Sequence, residues 1–138
     1  MGARWGHCYE NAYPMFFAIP ALFEPHGLFI EGWITFVSAD QIVVMEHGWC
    51  VSTQGQIIDP TIVLAVAPGQ PVFSFPGVLR GKAELERLEN ELFPHVRFSE
   101  YGDDGMLHPD YRAAYQAAHQ QARSLMMAGK TVLEVKAI

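Results

Sequence analysis

The spacing of apolar residues divides the chain into an N-terminal helix, a run of strands and a helical C-terminal half. Ala12, Met15, Phe16 and Ile19 follow one another at the intervals of a single helix face. Pro14 lies inside that pattern, where a proline removes a backbone hydrogen bond and crowds the preceding turn. The pattern predicts a helix that begins near Cys8, bends around Pro14 and stops at Pro20. A start near Tyr13, leaving Cys8 on the approach loop, satisfies the same spacing.

From Leu28 to Val37, "LFIEGWITFV" is aromatic, β-branched and free of proline, the signature of a strand. "VVMEHGWCVS", from Val43 to Ser52, reads as a second strand. After the polar "TQG", the segment "QIIDPTIVLAV" reads as a third, with Pro60 interrupting it or lying on an edge. These three form an antiparallel meander, to which "PVFSFPGVLR" adds another strand.

Two helices are expected next. Leu85, Leu88 and Leu92 make a stripe among solvated glutamates, closed by Pro94. In the second helix Pro109 suits the first turn, Tyr115, Ala118, Ala122 and Leu125 the buried stripe, and Gly129 the C-cap. "TVLEVKAI" alternates like a short closing strand. With no repeat or linker in view, the chain reads as one α+β domain spanning residues 1–138, with an N-terminal helix on an antiparallel sheet and two later helices.

Composition narrows the function classes. Half of the 138 residues are hydrophobic, which supports a core and argues against disorder. A formal charge of −6, with the nine basic residues scattered, disfavours a nucleic-acid partner, because gripping phosphate needs clustered Lys and Arg. Apolar runs broken by proline are too short to span a bilayer, and no basic leader precedes them, so no membrane partner is expected. Two cysteines do not make a disulfide framework, and a reduced, cytoplasmic setting follows as the expectation.

Candidate chemistry gathers around "EHGWCVSTQGQIIDPT". Met45, His47, Trp49 and Val51 share one face of their strand. If Thr53 to Gly55 form a three-residue turn, Asp59 falls opposite Trp49 and diagonal to His47, roughly 7 Å away at Cα and within side-chain reach. A two-residue turn sends Asp59 to the other face. A carboxylate on one ring nitrogen fixes the tautomer and leaves the other to handle a nucleophile's proton. Cys8, at a helix start, is the candidate nucleophile.

Each residue also has a plainer reading. Cys8 serves equally as a buried structural cysteine, His47 as a core histidine satisfied by Asp59, and Asp59 as a turn former before Pro60. Glu31 either lines the same site or faces solvent. Asn11, one turn after Cys8, is a substrate-binding candidate or a cap. Trp49 packs over His47 as a site wall or belongs to the core. His7, Cys8, His47 and Cys50 have metal-compatible side chains without zinc spacing, so neither metal nor cofactor is expected.

The order of "HCYENA", "FIEGW", "EHGWCV" and "IIDPT" resembles the papain-like and transglutaminase-like superfamily of cysteine hydrolases and acyl transferases, over about the first half of the chain. The resemblance implies a catalytic triad of Cys8 as nucleophile, His47 as general base and acid, and Asp59 as the group orienting it. It implies attack on an amide through an acyl-thioester, with a peptide or protein as substrate, including a cell-wall crosslink or a glutamine side chain. The glutamine that papain-like proteases place before the cysteine is replaced here by "ARWG". Arg4, Trp5 or a backbone N–H would then donate to the oxyanion, a contribution of roughly 3 kcal/mol. A binding or accessory module retaining the same fold is the alternative.

Overall fold

A computed structural model of the protein describes residues 8–39, 41–62, 66–91, 108–126 and 130–135, with the side chains of 9, 10 and 88–91 excepted. The expectations for Arg4, Trp5, His7, the Leu88 and Leu92 positions, Pro94 and the Gly129 cap lie outside the described residues. The elements run α1 (Cys8–Ala18), α2 (Pro20–Phe23), β1 (Leu28–Ser38), β2 (Gln41–Val51), β3 (Ile57–Ile58), β4 (Val72–Arg80), α3 (Lys82–Glu91), α4 (Pro109–Ser124) and β5 (Thr131–Val135). The architecture is α+β, with an N-terminal helix preceding a largely antiparallel sheet and two helices in the C-terminal half.

Cys8, the first described residue, is already helical, so it belongs to α1 and not to an approach loop ending near Tyr13. The helix accommodates Pro14 by turning it outward to solvent. Its buried stripe is Cys8, Ala12 and Phe16, one residue per turn, and it packs with Phe23, Phe29, Cys50 and Leu85. Ile19, expected on that face, is instead exposed. Pro20 opens α2 as well as ending α1, in keeping with proline's preference for a first helical turn.

β1 pairs with β2 along the whole length of both strands, and β4 pairs with the other edge of β1. A register shift between Glu31 and Gly32 interrupts the second pairing. Gly32 is required there, since a Cβ would fall 2.3 Å from the Phe75 carbonyl oxygen. On the outer edge of β2 two short strands sit end to end. β3 pairs antiparallel with Cys50 and Val51, while β5 runs parallel to Gln41–Met45. Among the described residues no strand covers the stretch between them, Glu46 to Trp49, on that edge.

Three differences from the sequence-based expectation stand out. The third strand stops at Ile58, because Asp59 and Pro60 begin a turn. The closing strand is parallel to β2, not antiparallel, and is fastened to α4 by His119, whose Nε2 lies 2.7 Å from Glu134 Oε1. The stripe of α4 is Tyr111, Ala114, Ala118 and Ala122, with Tyr115 only half-buried against Trp33. Alanines let α4 approach the sheet closely enough for the Thr35 hydroxyl to donate to the Ala118 carbonyl at 2.8 Å.

Both α1 and α4 lie on the sheet face that carries Phe29, Trp33, Val44 and Cys50. The opposite face collects Ile30, Ile34, Phe36, Val43, Met45 and Trp49. Between the α1 and α4 clusters the helix-bearing face holds charge, with Arg80 Nη1 donating to Glu31 Oε1 at 2.8 Å and both side chains almost fully buried. Tyr111 donates to the Glu46 carboxylate beside them. No helix among the described residues is long and apolar enough to cross a membrane.

Removing one partner of a buried pair strands the other charge in a poorly solvating interior. Glu31→Ala is therefore expected to cost about 3–5 kcal/mol in urea denaturation, with the double replacement Glu31→Leu and Arg80→Met recovering much of the loss. Equal destabilisation by the single and double variants would show that the pair itself is not the source.

Candidate functional site

The turn after β2 decides where Asp59 lies. Gly55 adopts φ 84, the left-handed conformation that favours glycine, and Ser52 N–H donates to the Gln56 carbonyl at 2.8 Å. This closes a three-residue loop over Thr53, Gln54 and Gly55. The Cys50–Ile58 and Val51–Ile57 pairs that follow put Asp59 next in line opposite Trp49.

Asp59 then does two things at once. Its Oδ1 accepts from Thr61 N–H at 3.0 Å and Ile62 N–H at 3.1 Å, as the cap of a short turn whose first position is Pro60. That leaves Oδ2 for the imidazole, and His47 Nε2–H donates to it at 2.6 Å. The Asp-Pro-Thr sequence thus aims one carboxylate oxygen by occupying the other. Trp49, buried, stacks on the His47 ring at 5.8 Å between centroids and 23° between planes.

Cys8 reaches the same place from α1. Its thiol lies 3.9 Å from the Glu46 carbonyl, on the uncovered stretch of the β2 edge, and the side chain is 4% exposed. The thiol also interacts with the His47 ring. With Nε2 engaged by Asp59, Nδ1 is the nitrogen left to serve it. Nδ1 has no hydrogen bond of ordinary geometry, so thiol and ring are close without a fully aligned bond.

Burial is the largest influence on His47 and disfavours its charge. The hydrogen bond to Asp59, the interaction with Cys8 and Coulomb attraction to both outweigh it, raising the pKa from 6.5 to about 9. At neutral pH the ring is an imidazolium between the Asp59 carboxylate and the Cys8 sulfur. Cys50 is different. It donates to the Ala12 carbonyl at 3.4 Å, and burial with the nearby Asp59 charge raises its pKa to about 12.

The remaining candidates divide. Asn11 is tied to the turn after Asp59, its Nδ2 donating to Thr61 Oγ1 at 2.8 Å. Glu31 sits on the helix-bearing face, across the sheet from His47 and Trp49, and is engaged by Arg80. That corrects the expectation that it lines the histidine's site: its partner is a buried guanidinium, not solvent or substrate. Thr61, buried and unremarked in the sequence, belongs to the site's hydrogen-bond network. Its signal was its place two residues after a capping aspartate. Among the described residues no group of three or more His, Cys, Asp or Glu is arranged to hold a metal ion.

The direction of the His47 shift predicts a pH dependence. A group whose folded pKa lies above its unfolded value stabilises fully below the unfolded pKa and loses that contribution as pH rises through the folded one. Wild-type stability should therefore decline between pH 6.5 and about 9. Asp59→Asn should flatten that slope and move the His47 ring titration, followed by NMR, toward or below 6.5. An unchanged midpoint in Asp59→Asn would remove the carboxylate from this account. No protein-family model, curated protein or solved structure matches the chain.

Proposed function

We propose that the protein is a cysteine hydrolase or acyl transferase of the papain-like or transglutaminase-like kind, acting on an amide bond of a peptide or protein in a reducing, cytoplasmic setting. One observation carries the reading: the imidazole bonded to Asp59 belongs to the residue after Glu46, whose backbone carbonyl lies 3.9 Å from the Cys8 sulfur. A buried histidine satisfied only for structural reasons has no need of a thiol beside it.

In this mechanism the reactive form is an ion pair in which the Cys8 proton already resides on His47, and Sγ attacks the substrate carbonyl carbon. A backbone N–H near Cys8 would receive the oxyanion. Collapse of the tetrahedral species breaks the C–N bond, with His47 returning the proton to the leaving amine. Water or a second amine then attacks the thioester and gives its proton to His47, and the C–S bond breaks to restore the ion pair. Asp59 holds the ring in register and steadies its charge at each transfer.

The burial of Cys8 favours a second reading, a binding or accessory module in which the three residues serve only the interior. Acylation separates the two. With nitrophenyl acetate as probe, the enzyme reading predicts a burst of nitrophenolate and an acetyl adduct on Cys8 by mass spectrometry. Cys8→Ser should abolish both with an unchanged melting temperature, and His47→Gln should slow acylation by about a hundredfold. Cys50, with its pKa near 12, should remain unlabelled. Slow, equal labelling of the two cysteines would leave the binding module standing.

A further inference from the structure

Cys8 and Asp59 lie on elements that touch neither through the sheet's hydrogen bonds nor through a shared strand. α1 arrives before the sheet begins, and Asp59 follows its third strand. One polar contact bridges them near the site. Asn11, on α1 one turn after Cys8, donates through Nδ2 to the Thr61 hydroxyl at 2.8 Å. Thr61 is buried, and its backbone N–H is held by Asp59 Oδ1 at 3.0 Å. The other oxygen of Asp59 holds His47. The contacts run from Asn11 through Thr61 and Asp59 to His47, whose chain neighbour Glu46 presents its carbonyl to the Cys8 thiol at 3.9 Å.

We propose that Asn11 and Thr61 are positioning residues, forming a strut that fixes the nucleophile's helix against the histidine–aspartate pair and so sets the separation of sulfur and imidazole. The inference rests on the proposed function for the meaning of that separation. The strut acts on geometry alone and touches no substrate. Its placement suits the task. A helix packed through Cys8, Ala12 and Phe16 slides easily along an apolar surface, since dispersion contacts are numerous and weakly directional. A buried hydrogen bond between side chains is directional, and breaking it leaves a polar group without solvent. The hydrophobic cluster holds α1 to the sheet, while the strut fixes its height along β2.

Thr61→Val keeps the shape of the side chain and removes the acceptor. Thr61→Ser restores the hydroxyl. Two readouts on the full chain test the strut: alkylation of Cys8 by iodoacetamide at neutral pH, and the NMR titration of the His47 ring. In Thr61→Val alkylation is expected to slow about tenfold, and the His47 midpoint to fall by about one pH unit as thiol and carboxylate lose alignment with the ring. Thr61→Ser should return both to wild-type values. Asn11→Ala, at a half-buried position, should reproduce the effect and serve if Thr61→Val does not fold. The double variant should be no worse than either single.

A wild-type His47 midpoint in Thr61→Val or Asn11→Ala would overturn the strut, as would additive effects in the double variant. A fall in melting temperature alone would mark a purely structural contact. The titration requires no chemistry from Cys8. If wild-type Cys8 shows no preferential reactivity, the proposed function fails and the His47 midpoint still decides the strut.

Discussion

The hydrogen bond between His47 and Asp59 is the constraint on which the remainder of the site depends, and it rests on a single residue of register. Sheet side chains alternate, so a turn shorter by one residue would send the carboxylate through the sheet to the Cys50 side. Gly55 supplies the positive φ that completes the longer turn. Once Asp59 is on the histidine's face, its capping role over Thr61 and Ile62 orients it without help from other side chains. Local backbone chemistry therefore produces a charged pair that burial alone would oppose.

The sheet turns that pair into a site by leaving room beside it. Among the described residues β3 ends at the residue before Asp59 and β5 reaches Met45, so neither covers the middle of β2's outer edge. The thiol enters there, against the Glu46 carbonyl. On the other side of the strand the Glu46 carboxylate is tied to Tyr111 of α4. Glu46 and His47, adjacent in sequence, thus connect to the two packing helices in different ways. Glu46 is held from both sides, and His47 takes its charge from what surrounds it.

Much of this was legible in the sequence, and the limits have physical reasons. The Cys8 helix, β1, β2 and the three-residue turn follow from periodicity and from a glycine at the position that needs one. The third strand breaks at Asp59 and Pro60, the interruption that an aspartate before proline signals by starting a turn. The partner of the last strand could not be read, since alternation identifies a strand without choosing its neighbour or direction. Glu31 escaped for a similar reason. Nothing in "FIEGW" reveals that Arg80, across a bulged pairing, will arrive to neutralise it. Asn11 carried a cue in its spacing from Cys8, but its partner Thr61 is a long-range choice made by the tertiary fold.

The chain distances within the site carry one more consequence. The imidazole and its carboxylate are separated by 12 residues, joined by a tight reversal, whereas the sulfur reaches its carbonyl neighbour across 38. Short closures are entropically cheaper and form sooner than long ones. The hairpin can therefore assemble its half of the machinery while the leading helix is still undocked. A partly folded molecule of this kind already pairs the imidazole with its carboxylate, and the sulfur joins them only when the leading helix docks.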